Sequence, residues 1–151
     1  MNLSMAWTTD AVLAGFKDTT RREWTDRTLE TYQRIFDLGA PISLYDKSTR
    51  QHGQHVASAV LTAMPIRTAK LPAQDYDREG FTWLDHYGYR LSVLGHEAAT
   101  PEELWRDFQA RPEPLVVVRF KLISLTAVGA ARRWALKEDG KLIQRIEGVA
   151  P

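Results

Sequence analysis

Cysteine is absent from this chain of 151 residues, which excludes disulfide frameworks, cysteine-rich zinc sites, iron–sulfur clusters and cysteine nucleophiles. Long apolar runs are also absent, because the longest, Pro114 to Val118, is far too short to cross a bilayer. Residues 1–5 lack the basic and then apolar layout of a secretory signal. We therefore expect a soluble cytoplasmic protein that has no membrane partner.

An excess of either charge is lacking too, since 20 basic and 19 acidic residues give a net charge of +1. This balance excludes the strongly basic, histone-like class of nucleic-acid binder. The charge is unevenly distributed, however. Residues 1–70 contain nine basic and seven acidic residues, and residues 71–114 contain four basic and nine acidic ones. Residues 115–151 contain seven basic and three acidic residues. An acidic middle therefore lies between two basic ends, and local basic patches can still contact a short RNA.

The pattern of elements predicts one α+β domain over residues 1–151, because no repeat, low-complexity tract or Ser/Gly linker interrupts it. Helices are expected after the capping residues Thr8, Thr25 and Thr100. Alternating or continuous apolar residues predict strands over 41–46, 55–62 and 115–125. Residues 134–146 are expected to form a hairpin around Asp139-Gly140. A small mixed β-barrel flanked by helices fits this order.

The densest cluster of chemically active side chains is Gly15 to Trp24, directly after the first predicted helix. It lacks the second glycine that a phosphate loop needs before its lysine. In one interpretation its cations form a solvated edge, paired with Asp18 and Glu23. In the other, the cations and a hydroxyl face an anionic or nucleoside ligand, and Trp24 stacks on a base.

The spacing of this cluster resembles the hallmark of the ASCH family, a branch of the PUA-like β-barrel superfamily, in its threonine form. Gly-x-Lys-x-x-Thr-x-Arg is matched by Gly15, Lys17, Thr20 and Arg22, with threonine in place of the commoner glutamate. Two further landmarks of the family follow in the same order along the chain. The first is Glu79-Gly80-Phe81, and the second is the closing apolar strand Val116-Val117-Val118-Arg119-Phe120. The resemblance covers about residues 8–125, and the C-terminal extension 126–151 with its predicted hairpin lies outside it.

The resemblance implies an ASCH-like domain with a ligand cleft between the first helix and the barrel. PUA-like domains generally contact RNA or modified bases, and some threonine-form members are amidohydrolases that deacetylate acetylcytidine nucleosides. Their catalytic lysine, threonine and glutamate fall on Lys17, Thr20 and Glu79. We therefore expect an amidohydrolase that acts on an N-acetylated cytidine-type nucleoside and uses neither metal nor cofactor.

The residue types fit this chemistry. A threonine hydroxyl is a poor nucleophile unless a base takes its proton. A lysine amine can act as that base when burial and neighbouring cations lower the lysine pKa. Glu79 is a candidate for orienting Lys17 or protonating the leaving amine, although an ion pair between the two would instead keep the lysine charged. Candidate substrate-binding residues are Arg21, Arg22, Trp24, Phe81 and Trp83.

Two alternatives to the amidohydrolase remain open. The same basic groups suit a module that binds RNA or a modified base without turnover, or a ribonuclease. His52 and His55 have no third ligand in register, so no metal is expected. Asp75 and Asp77 are expected on a solvated face, with only Glu79 pointing inward.

Overall fold

The chain has a mixed α+β fold, as the order of its elements predicts, and its main sheet curls into half of a barrel. The computed structural model describes the backbone of residues 1–93 and 96–142 and the side chains of residues 1–90 and 99–142. The strands of this part are β1 (Asn2–Ser4), β2 (Thr19–Arg22), β3 (Pro41–Tyr45), β4 (His55–Leu61), β5 (Ile66–Thr68), β6 (Leu91–Val93), β7 (His96–Ala99) and β8 (Leu115–Leu125). Its helices are α1 (Thr9–Leu13), α2 (Asp26–Leu38), α3 (Asp75–Arg78), α4 (Phe81–His86), α5 (Pro101–Ala110) and α6 (Ala127–Glu138).

Strand β8 organises the main sheet because it is long enough to pair with three neighbours. Its C-terminal half pairs with β4, and its N-terminal half pairs with both β2 and β5, all in antiparallel register. Beyond β4, the sheet continues through antiparallel β3 to parallel β1. The apolar run predicted as a central strand is confirmed, and its residues Val116, Val118 and Phe120 belong to the core.

The predicted helix starts at Thr25 and Thr100 are confirmed. Each hydroxyl accepts a hydrogen bond from a backbone N–H in the first turn, and Pro101 takes the first position of α5. The inward side chains of α5 also lie as expected, since Leu104 is buried and Trp105 packs against the core. None of the helices in the described ranges is long and apolar enough to cross a membrane.

The predicted C-terminal hairpin is wrong for residues 134–138, which are part of helix α6. Thr126 caps this helix, and a run rich in alanine, arginine, leucine and lysine favours helix over strand. Asp139-Gly140 ends the helix instead of turning a hairpin, with Gly140 at a φ of +73°. Of the predicted second strand, Lys141–Ile146, residues 143–146 lie outside the described residues.

Helix α6 packs tightly on β4. A Cβ atom on Gly129 would lie 1.9 Å from the Val56 carbonyl oxygen, so only glycine permits this approach. The Arg132 Nε donates a hydrogen bond to Asp10 Oδ1 of α1 at 2.6 Å. Arg133 Nε donates to the Leu13 carbonyl at 3.1 Å. Helix α6 therefore fixes α1, which immediately precedes the Gly15–Trp24 cluster.

Candidate active site

Strand β2 presents two sets of side chains because successive residues of a strand point to opposite faces. Thr20 and Arg22 share one face, and Thr19 and Arg21 share the other. Thr20 and Arg22 line a cavity of about 430 Å³, which we call the β2 cavity, and Arg21 contributes to its lining although it lies on the other face. Its lining includes Lys17, Thr20, Arg21, Arg22, Glu79, Phe81 and Arg111. The structure thus brings the three predicted catalytic residues to one cavity.

Lys17 is almost completely buried at the wall of this cavity, with 5% of its surface exposed. Its Nζ donates hydrogen bonds to the Thr19 carbonyl (2.8 Å), the Glu79 carbonyl (3.0 Å) and Glu79 Oε2 (3.1 Å). Burial lowers the pKa of Lys17, as do the charges of Arg22 and Arg21, while Glu79 partly offsets them. The ion pair that the sequence left open is therefore formed, yet the net shift of the lysine pKa is downward.

Glu79 is buried and accepts from two cations. Besides Lys17, the Arg21 Nη1 donates to Glu79 Oε1 at 3.1 Å. Gly80 makes this placement feasible: its φ is +85°, and a Cβ there would lie 2.8 Å from the Ala11 Cβ and 3.1 Å from the Lys17 Cβ. The backbone at Gly80 therefore packs directly against α1 and Lys17, which carries the preceding Glu79 into contact with the lysine.

Asp75 is fully buried, so its expected place on a solvated face is wrong. Its carboxylate accepts from Arg21 Nη2 at 2.5 Å and from Arg119 Nη2 at 3.1 Å. Burial raises the pKa of Asp75, but the hydrogen bonds from Arg119 and Arg21 outweigh burial and the net shift is downward. Asp75 and Glu79 are four residues apart around a short helix, and this spacing places both carboxylates on one face toward β2. That spacing was a usable signal in the sequence.

Thr20 and Arg22 are the members of this cluster whose polar groups remain available. Thr20 is buried at 4% exposure, and within the described side chains its hydroxyl makes no hydrogen bond. The Arg22 Nη2 donates to the Ser4 carbonyl, whereas its Nε is buried without a partner. Burial lowers the pKa of Arg22, partly offset by Glu79. A ligand in the cavity would meet the Thr20 hydroxyl directly, and a small shift of the Arg22 side chain would bring its buried Nε to the ligand as well.

The aromatic candidates separate into two groups. Phe81 lies in the wall of the β2 cavity. Trp24 does not line it and stacks instead on Tyr32, with ring centroids 4.2 Å apart. Trp83 is fully buried away from it and donates its Nε1–H to the Lys141 carbonyl at 3.2 Å. Of the three predicted aromatic residues, only Phe81 therefore lines this cavity, with 1% of its surface exposed, and Trp7 and Phe108 line it as well.

Of the two histidines, His55 has local partners for its ring. The His55 ring stacks on Tyr45 with centroids 5.4 Å apart, and its Nε2 lies 2.8 Å from the Ala57 carbonyl oxygen. His52 ends a short 3₁₀ turn at a φ of +59°. Among the described residues, no group of three or more histidine, aspartate and glutamate side chains has the arrangement of a metal site.

Comparison of the chain with protein-family models, with curated proteins and with solved structures gives no match in any of the three. The interpretation of the β2 cavity therefore depends on its own geometry and chemistry.

Proposed function

We propose that this protein hydrolyses the amide of an N-acylated cytidine-type nucleoside in the β2 cavity, and that it is a PUA-like protein of the ASCH type. The observation that carries the proposal is the meeting of Lys17, Thr20 and Glu79 at one cavity. The lysine there has a lowered pKa and the threonine hydroxyl is unpaired within the described side chains. Acyl transfer requires a base that can reach the nucleophile, and Lys17 and Thr20 line the same cavity, although no hydrogen bond joins the two within the described side chains.

The reaction begins from neutral Lys17, which keeps two N–H donors and gains a free lone pair. Thr20 Oγ attacks the acyl carbonyl carbon while its proton passes to the Lys17 Nζ. The bond between the carbonyl carbon and the nucleoside nitrogen then breaks, and the departing amine takes that proton. A water molecule attacks the acyl-threonine ester, releasing the carboxylic acid and restoring the Thr20 hydroxyl.

Glu79 and Phe81 support this step in different ways. The backbone carbonyl and the carboxylate of Glu79 both accept from Lys17, so they fix the amine on the cavity wall. Phe81 is 1% exposed, so it forms part of the apolar wall behind the cavity, and the partly exposed Trp7 of the same lining offers the aromatic face on which a pyrimidine ring packs. The cavity volume of about 430 Å³ lies within the usual range for small-molecule sites.

Steady-state release of cytidine from N-acetylcytidine tests the proposal. We expect Thr20→Ala to abolish turnover, and Lys17→Ala to reduce kcat/KM by about 10²–10⁴-fold, which is the usual contribution of a general base. Thr49→Ala is the matched control because Thr49 is exposed and outside the cavity. Unchanged turnover in Thr20→Ala would exclude the nucleophile assignment.

The pH profile gives a second readout of Lys17. Because the neutral amine is the active form, kcat/KM should rise with pH through an apparent pKa below the ordinary lysine value of about 10.4. A rate that falls on raising the pH through this range would contradict a lysine base.

Binding of a modified base or short RNA without turnover is the second candidate. The three ammonium protons of Lys17 are already donated to Glu79 and a carbonyl of β2, which favours a structural ion pair. This candidate predicts that wild-type protein binds N-acetylcytidine or RNA and leaves the amide and the phosphodiester bonds intact. Affinity for RNA should then fall steeply with salt.

A further inference from the structure

We infer that the β2 cavity contains a phosphate-binding subsite formed by Arg22 and Arg111, and that its ligand is a nucleoside monophosphate. The nucleoside part of this ligand rests on the proposed function, whereas the phosphate part stands on the two arginines alone.

The two arginines share an uncommon feature. Among the described side chains, the buried polar atoms without a hydrogen-bond partner are the Nε of Arg22 and the Nε of Arg111. Both residues line the β2 cavity, although they come from β2 and from the end of α5. Buried donors are nearly always satisfied in native proteins, so two orphaned N–H groups at one cavity indicate a missing acceptor.

The charges around the cavity indicate that this acceptor is an anion. Three cations there have carboxylate partners, in the pairs Lys17–Glu79 (3.1 Å), Arg21–Asp75 (2.5 Å) and Arg111–Glu23 (2.8 Å). Arg22 has no carboxylate partner within the described side chains, and its one acceptor is the Ser4 carbonyl. An unpaired buried charge is costly, and a ligand anion would offset that cost.

Guanidinium groups are suited to phosphate. Their planar donors match two phosphate oxygens at once, and these charge-assisted hydrogen bonds are stronger than neutral ones. Arg111 retains capacity for such a contact because its Glu23 partner is 74% exposed and held through Nη2, which leaves Nε free. A phosphate between the two side chains would satisfy both orphaned N–H groups.

The setting favours a terminal phosphate over a continuous nucleic-acid backbone. The two arginines line a cavity of small-molecule size, and their unpartnered nitrogens are buried instead of being spread along an exposed basic stripe. The chain as a whole carries only one net positive charge. A phosphate monoester on a single nucleoside therefore fits better than a chain of phosphodiesters.

Calorimetric titration with cytidine and with cytidine 5′-monophosphate tests the subsite without requiring turnover. We expect wild-type protein to bind the monophosphate about 10- to 100-fold more tightly, the gain that one or two charge-assisted hydrogen bonds provide. Arg22→Gln should bring the two affinities close to each other, and Arg111→Gln should reduce their ratio. Arg106→Gln is the control, since this exposed arginine of α5 pairs with Glu102 and lies outside the cavity. Arg22→Lys serves if Arg22→Gln does not fold, and it should also lower the ratio because lysine lacks the Nε donor.

Equal binding of the two ligands by the wild type, or an unchanged ratio in the Arg22 variants, would overturn the inference. Tighter binding of a cytidine tetranucleotide that lacks a terminal phosphate would overturn it in favour of RNA. Failure of the subsite is distinguishable from failure of the proposed function. If the protein hydrolyses N-acetylcytidine but shows no preference for the monophosphate, only the phosphate subsite is refuted. If it prefers the monophosphate but does not hydrolyse N-acetylcytidine, only the hydrolase proposal is refuted.

Discussion

Replacing Glu79 by glutamine tests how the ion pairs of the site control Lys17. The carboxylate is buried and lies 3.1 Å from both the Lys17 Nζ and the Arg21 Nη1. Glutamine keeps the shape and one acceptor but removes the charge. Glu102→Gln is the matched control, because Glu102 forms an exposed pair with Arg106 at 2.7 Å on the surface of α5.

Breaking a buried ion pair by removing one partner costs about 3–5 kcal/mol. Arg21 keeps its contact with Asp75, so we expect Glu79→Gln to lower the free energy of unfolding by about 3 kcal/mol, the low end of that range. The control should change it by about 0.5 kcal/mol or less, as exposed pairs do.

The pH dependence of this loss follows from the lysine. Its folded-state pKa is already below the unfolded value, and the variant lowers it further because the opposing effect of Glu79 disappears. A folded state that holds the proton more weakly than the unfolded state loses stability as the pH falls below about 10.4. The difference in unfolding free energy between wild type and Glu79→Gln should therefore be larger at pH 7 than at pH 10.

Urea denaturation followed by tryptophan fluorescence at both pH values measures these quantities. A variant as stable as the Glu102→Gln control would refute the buried ion pair as a stabilising contact. A stability difference that is equal at both pH values would contradict an effect of Glu79 on the protonation of Lys17 between these pH values.

Three further predictions concern the supports of the site. Gly80→Ala should lower the unfolding free energy by about 2–4 kcal/mol, from a left-handed backbone and overpacking against Ala11, as measured by chemical denaturation. Asp75→Asn should reduce the acid sensitivity of folding. The stabilisation that comes from the lowered pKa of Asp75 is present above the ordinary aspartate pKa of about 3.9 and is lost as the pH falls through the folded-state pKa. Unfolding curves between pH 5 and pH 2 measure this change. Gly129→Ala should force α6 away from Val56 and lower the Tm by several degrees in a thermal scan, for a cost of about 1–3 kcal/mol.

Much of the fold could be predicted because its signals are local. The caps at Thr25 and Thr100 each place a hydroxyl next to the N–H groups that it accepts from, and the apolar run from Leu115 to Leu125 indicates a buried strand by itself. The Asp139-Gly140 step misled the prediction because the same dipeptide suits a hairpin turn and a helix end. The preceding twelve helical residues decide between the two.

The candidate site was predicted in part, since contacts between distant residues are not encoded in spacing alone. Lys17, Thr20 and Glu79 do line one cavity. The alternation of acidic residues predicts Asp75 on a solvated face, whereas the helix turns its carboxylate toward Arg21 and Arg119. Trp24 and Trp83 were proposed from residue type, and their ring contacts lie outside the cavity. The orphaned Nε of Arg111 depends on how the end of α5 lies relative to Glu23, and no sequence motif marks this packing.

A single-turnover measurement tests the proposed amide hydrolysis most directly, with protein in excess over N-acetylcytidine and quenched samples separated by chromatography. The wild type should release cytidine and acetate in equal amounts, and Thr20→Ala should release neither while remaining folded by circular dichroism. No cytidine from the wild type would contradict the hydrolase, and equal release by Thr20→Ala would contradict Thr20 as its nucleophile.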